Sequence, residues 1–227
     1  MGKGRYISVV VAVVGAAIVA GLFVFNQHAL SYDRYIVVNL LGLMWIPMLT
    51  LILVFREEPS NFGFALGSWK RIWIVLVVLG AGLVALMLTI SRWPAYQDYY
   101  PVFRRFDEFR GLFASYPRVN PYTAAPWLML YAEASYGMYL FCWEFFFRGY
   151  LLFGLQRSIG WWAVLAQAIG FGLLHHGKVP SEFYASFGAG VILGIIALNA
   201  KSFLPCFVLH WAASLTFNFL VVAARAR

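Results

Sequence analysis

Long apolar stretches alternate along the chain with short polar breaks. The apolar runs fall at about 6–25, 36–55, 71–90, 127–156, 161–176, 181–200 and 203–223. Most of them reach the ~20 residues that a helix needs to cross a ~30 Å hydrocarbon core. In lipid only helices and closed barrels satisfy every backbone N–H and C=O. The runs are continuous rather than alternating, which favours helices over barrel strands. The pattern predicts an all-α, polytopic transmembrane helix bundle of about seven spans. No internal repeat or low-complexity tract divides it, so residues 1–227 read as a single integral membrane domain.

Composition agrees with the pattern. Apolar residues make up 63% of the 227 positions and charged residues 11%, against about 25% charged in an average soluble domain. That is too few charges to coat a soluble fold of this size. The net charge of +8 would raise nucleic-acid binding in a soluble protein. Here the cations cluster at the ends of apolar runs and in one long loop, where they meet lipid headgroups and set topology. Membrane lipid is therefore an expected partner and nucleic acid is not. The expected location is the cell membrane, as a multi-pass protein. Cys142 and Cys206 lie inside apolar runs and read as small buried hydrophobes.

The first run follows Met1-Gly2-Lys3-Gly4-Arg5-Tyr6. It is longer than a signal-peptide core, and Asn26-Gln27-His28-Ala29 offers no small-residue cleavage site, so an uncleaved first helix is expected. Lys3, Arg5, Arg56, Lys70, Arg71, Arg157 and Lys201 favour an inside N-terminus. The segment from Ser91 to Pro126, with Arg104, Arg105, Arg110 and Arg118, pulls the other way, as do Arg225 and Arg227. That segment mixes arginines with aromatics and five prolines, a mixture suited to lying on headgroups.

Ionisable groups inside apolar runs are costly, about 2.5–3.5 kcal/mol at a helix centre on insertion scales, and are read by default as functional. Here they are Glu133, Glu144, Arg148, His175, His176 and His210, with Glu182 opening the sixth run. Glu144 and Arg148 are four apart and share a helix face, either as a structural ion pair or as part of a site. Glu133 lies three turns before Glu144 on nearly the same face. A lone histidine in such a run is most often a packing residue. Two histidines and a glutamate on three separate runs gain from meeting one another, and together they can activate water directly or through a metal. Glu182 either serves the helix dipole in a first turn or, if the Ser186, Gly190 and Gly194 face abuts the last span, reaches the histidines.

Three local patterns carry a family resemblance. Glu144-Phe145-Phe146-Phe147-Arg148-Gly149 resembles the first motif of the type II CAAX prenyl protease and bacteriocin-processing (CPBP) family of intramembrane proteases: Glu-Glu, two variable residues, an aromatic, Arg, Gly. Phe171 with His175 resembles the second motif, Phe, three variable residues, His. His210 with Ser214 resembles the third, His, three variable residues, Asn or a similar small polar residue. Order and placement agree over residues 127–222, the motif core.

The resemblance implies an intramembrane endopeptidase acting on a membrane-associated protein or peptide. Carried over, Glu144 and His175 activate the attacking water and His210 and Ser214 support the oxyanion. Arg148 orients Glu144, and Glu182 is the reserve carboxylate. A divalent metal such as zinc, held by His175, His210 and a carboxylate, stays open. A closed four-ligand zinc cluster is not expected, because only Cys206 and His210 share a face.

One position departs from the motif. Trp143 stands where the family has its first glutamate, and neighbouring helix positions point ~100° apart, so Glu144 cannot simply take that place. Three possibilities follow: a rotated helix, Glu182 supplying the carboxylate, or a non-proteolytic relative acting as an immunity or scaffolding protein. A transporter with a Glu/His proton relay is a further alternative, although no paired repeats support it.

Overall fold

Each apolar run folds as a helix in the computed structural model, which describes residues 2–225. Arg227, one of the terminal cations counted above, lies outside them. The long helices are α1 (Lys3–His28), α2 (Tyr32–Phe55) and α3 (Trp73–Ile90). After three short helices come α7 (126–159), α8 (Trp162–Leu173), α9 (Pro180–Ala200) and α10 (Leu204–Arg225). Five of these, α1, α2, α3, α9 and α10, are long and apolar enough to cross a membrane.

Local chemistry sets the boundaries. The Ser31 hydroxyl accepts from the Arg34 N–H and caps α2, satisfying one of the donors that a helix start leaves open. Proline opens α7 and α9, where its missing N–H costs nothing. Lys201, in the left-handed region at φ 54°, closes α9 by donating its N–H to the Ala197 and Leu198 carbonyls.

The arginine-rich segment has regular structure. It folds as α4 (Pro94–Tyr99), a 3-10 turn (Val102–Arg105), α5 (Asp107–Ala114) and α6 (Pro121–Ala124). Its aromatics turn inward: Phe103, Phe106 and Phe109 surround the buried Tyr32 ring, with centroids 5.2–5.8 Å away. Glu108 accepts from the Ser31 hydroxyl at 2.6 Å and the Tyr32 N–H at 2.9 Å. Burial of large aromatic surface holds this cap on one end of the bundle. At the other end, Glu57 joins Lys3 at 2.7 Å and Arg157 at 3.5 Å, tying α1, the α2–α3 connection and α7 together.

The middle of α7 is fully enclosed by the rest of the bundle. Residues Phe145–Leu151 form a π-helical stretch, and all seven are buried. Gly149 is required there, because a Cβ would lie 2.8 Å from the Phe62 carbonyl and 2.9 Å from the Phe145 ring. By contrast α3 buries only Met87 and presents the rest of its surface outward, as a helix solvated by lipid can.

The small-residue face of α9 packs against α8, not α10. A Cβ at Gly190 would meet Ala168 at 2.9 Å, and one at Gly194 would meet the Gln167 amide at 2.8 Å. Gln167 also donates to the Gly190 carbonyl at 2.7 Å. The condition under which Glu182 was to reach the histidines is thus not met: the stripe serves the α8–α9 contact, where a short connection makes the two helices antiparallel neighbours.

Candidate functional site

Glu144 and Arg148 are both fully buried, with Arg148 Nε 3.2 Å from Glu144 Oε2 and Nη1 3.4 Å from Oε1. They face the bundle interior because an ion pair is too costly to leave in lipid. The guanidinium carbon also lies over the Phe171 ring, 3.9 Å from its centroid, a cation–π contact strengthened by desolvation. The π-helical stretch begins at the residue after Glu144, so Arg148 is carried inside it. Such stretches recur where a helix must aim a side chain unusually.

The second partner of Glu144 is His210 of α10, whose Nδ1 lies 2.6 Å from Oε1. His175 instead places Nδ1 2.8 Å from the Phe171 carbonyl. A carbonyl can only accept, so His175 carries its proton on Nδ1 in this contact and turns the Nε2 lone pair outward. A Glu144 oxygen that accepts from His210 Nδ1 likewise leaves the His210 Nε2 lone pair free. Among the described residues no direct hydrogen bond joins Glu144 to His175.

Phe171 organises both imidazoles. Its ring centroid is 4.5 Å from that of His175 and 6.1 Å from that of His210. The histidines together border a polar cavity of about 320 Å³, lined also by Trp143, Tyr139, Arg105 and Lys178. Both also line an apolar recess of about 250 Å³, bounded by Leu83, Leu193 and Glu182. His210 borders a third space of about 220 Å³ with Ser214, Glu182 and Tyr100. The two imidazoles therefore border both a polar and an apolar compartment.

Trp143 fills the position beside His175. The rings meet edge to face at 5.6 Å, and Trp143 is 3% exposed. No rotation of α7 brings Glu144 into that place: the indole occupies it, and Glu144 points to Arg148 and His210. Glu182 is also engaged elsewhere, 2.7 Å from Lys178 Nζ and accepting from the Tyr100 hydroxyl at 2.8 and 2.7 Å. It borders the histidine compartments without bonding to either imidazole.

Glu133 belongs to a separate buried cluster, accepting from Tyr122 Oη at 2.6 Å and Asn218 Nδ2 at 3.0 Å. Its three-turn spacing from Glu144 gives it the same face but a different neighbourhood. Asn218, two turns beyond His210 on α10, gave no signal in the sequence beyond its polarity in an apolar run. Lys178 and Tyr100 were overlooked because both lie outside the apolar runs; the four-residue spacing of Lys178 and Glu182 was the available clue.

Among the described residues no group of three or more His, Cys, Asp or Glu is placed to hold a metal. The two free imidazole nitrogens lack a third donor, because Glu144 is committed to Arg148 and His210. The donor set does not fit zinc, which takes three protein ligands at a catalytic site. Cys142 and Cys206 are buried and unpaired.

Residues 125–216 match a family model, Rce1-like, described as type II CAAX prenyl endopeptidase Rce1-like. That segment holds all three motifs, so the family resemblance read from them is borne out. No curated protein and no solved structure matches the chain.

Proposed function

We propose, from the premise that this chain carries the core segment of a CAAX-protease-like membrane peptidase, that it hydrolyses a peptide bond with His210 as general base. The observation that supports this reading is the 2.6 Å contact between Glu144 and His210. A buried carboxylate on Nδ1 fixes the tautomer, orients the ring and stabilises the imidazolium that forms, the role a carboxylate plays in a catalytic triad. His210 Nε2 then takes a proton from water as the oxygen attacks the peptide carbonyl carbon. It returns that proton to the leaving amine as the C–N bond breaks.

His175 Nε2 accepts the second hydrogen bond of the attacking water. The Ser214 hydroxyl donates to the oxyanion. Arg148 keeps Glu144 aimed at His210. No step passes through a metal. The substrate is a membrane-associated protein or peptide, and the setting is the cell membrane.

The test is cleavage of a membrane-peptide library by the full chain in proteoliposomes, comparing wild type with His210→Ala, His175→Ala and Glu182→Gln. The two histidine variants are expected to lose cleavage, with Glu182→Gln retaining it. Cleavage unaffected in His210→Ala refutes the assignment.

One observation favours a second reading, a non-proteolytic relative: Trp143 stands edge-on to His175, where the family motif has a carboxylate. Under that reading wild type cleaves nothing, and Trp143→Glu, which restores the motif's glutamate pair, confers activity.

A further inference from the structure

The polar cavity in front of the histidines is asymmetric in charge. Among the described residues no Asp or Glu lines it, while Arg105 and Lys178 both do. Lys178 is matched by Glu182, but Glu182 borders the other two compartments. Arg105 has no carboxylate partner among the described residues. Its guanidinium lies 4.6 Å from the Phe106 centroid and 5.2 Å from that of Tyr35, with one long contact, 3.4 Å, to the Asn26 carbonyl. Arg105, Gln27 and His176 at the rim are exposed, whereas Trp143 and His175 at the floor are buried. A cation held on two rings at an open mouth, with donors to spare, is a receptor for an anion.

A second space continues from this mouth. A groove of about 590 Å³ runs between α1 and α8, lined by Ala16, Ala20, Ile169 and other apolar side chains. It shares Phe23 and Leu173 with the polar cavity. Every side chain along it is apolar. An extended peptide laid there would leave its backbone N–H and C=O groups unpaired, whereas a hydrocarbon chain would leave nothing unpaired. An apolar groove that ends at a cationic mouth has the complementarity of an anionic amphiphile.

We propose that an anionic phospholipid binds here, its phosphate between Arg105 and Lys178 and one acyl chain in the groove along α1. Bound there, the headgroup stands at the mouth of the compartment that His175 and His210 border, and it governs access to them. This site is independent of the peptidase reading, because binding is read without any cleavage.

The experiment uses the full chain in nanodiscs of phosphatidylcholine with a minor fraction of phosphatidylglycerol, and counts retained lipid by native mass spectrometry after gentle detergent transfer. Phosphatidylglycerol is expected to be retained over phosphatidylcholine. Arg105→Gln should weaken that retention about fivefold, the effect of one cation near an anionic lipid, and Arg105→Lys should restore most of it. Ala20→Trp, which fills the groove, should weaken it as well. Arg105 and Ala20 are both exposed, so these variants keep the fold. Glycerol phosphate at equal concentration should not displace the lipid. Equal retention of the two lipids, or Arg105→Gln behaving as wild type, overturns the proposal. So does displacement by glycerol phosphate with Ala20→Trp unaffected, which would mean a site for free phosphate alone.

Discussion

Glu144 Oε1 lies 2.6 Å from His210 Nδ1, and the same carboxylate is held from its other side by Arg148, 3.2 Å from Oε2. Three charged or chargeable groups from α7 and α10 thus meet through one glutamate. Replacing it with the isosteric amide forces an NH2 group toward either the guanidinium or the imidazole. Glu144→Gln should therefore lower cleavage by about 10²–10⁴-fold. The double variant Glu144→Gln, His210→Ala should be hardly worse than His210→Ala alone, because groups acting as a unit are not additive. Additive losses in kcat/KM would mean that the two act separately.

Arg148 bears on stability as well as chemistry. Removing one partner of a buried ion pair strands the other, at a cost of about 3–5 kcal/mol. Arg148→Met should lower the melting temperature in detergent sharply. Replacing both partners, Glu144→Leu with Arg148→Met, should recover most of that loss while leaving the protein inactive. Recovery of stability without recovery of cleavage separates a working carboxylate from a structural latch.

Much of the bundle was legible because lipid imposes strict rules on a chain. Apolar runs matched the helices to within a few residues, and Glu144 with Arg148 was visible as a spaced pair. The partner of Glu144 was not visible. Choosing His210 over His175 depends on how α7 packs against α10 and on the indole of Trp143 beside His175, a tertiary outcome with no one-dimensional trace. The inward packing of the cap was hidden for the opposite reason. Phe103, Phe106 and Phe109 suit a headgroup layer as well as a protein core, and only the buried Tyr32 ring decides between them.

Glu57 offers a pH test away from the site. The bond from Lys3, helped by Arg157 against the opposing effect of burial, holds its carboxyl below the usual range. A carboxylate depressed in the folded state adds stability that is complete above its unfolded value, about 4.3, and is lost as pH falls through the folded value. Protection against hydrogen exchange in the first turns of α1, taken relative to the intrinsic rate at each pH, should fall below about pH 4.5 and be unchanged between pH 6 and 8. Glu57→Gln should show the weaker protection at every pH, with a global effect of no more than about 1 kcal/mol. Acid-insensitive protection in α1 would mean that its N-terminal end is held by packing alone.

Glu182 should prove structural. It is saturated by Lys178 and Tyr100, so Glu182→Gln is expected to loosen the α9 start and the cap while leaving most of kcat. Cleavage lost in Glu182→Gln with a normal melting curve would make it the base instead.

The most direct measurement is single-turnover cleavage in proteoliposomes by wild type and Glu144→Gln. We predict that wild type cleaves a membrane-embedded peptide and that Glu144→Gln lowers the rate at least about 100-fold with the protein inserted and folded as wild type. A wild-type protein that cleaves no substrate, or a Glu144→Gln protein with the wild-type rate, would contradict the assignment of Glu144 and His210 as the working pair.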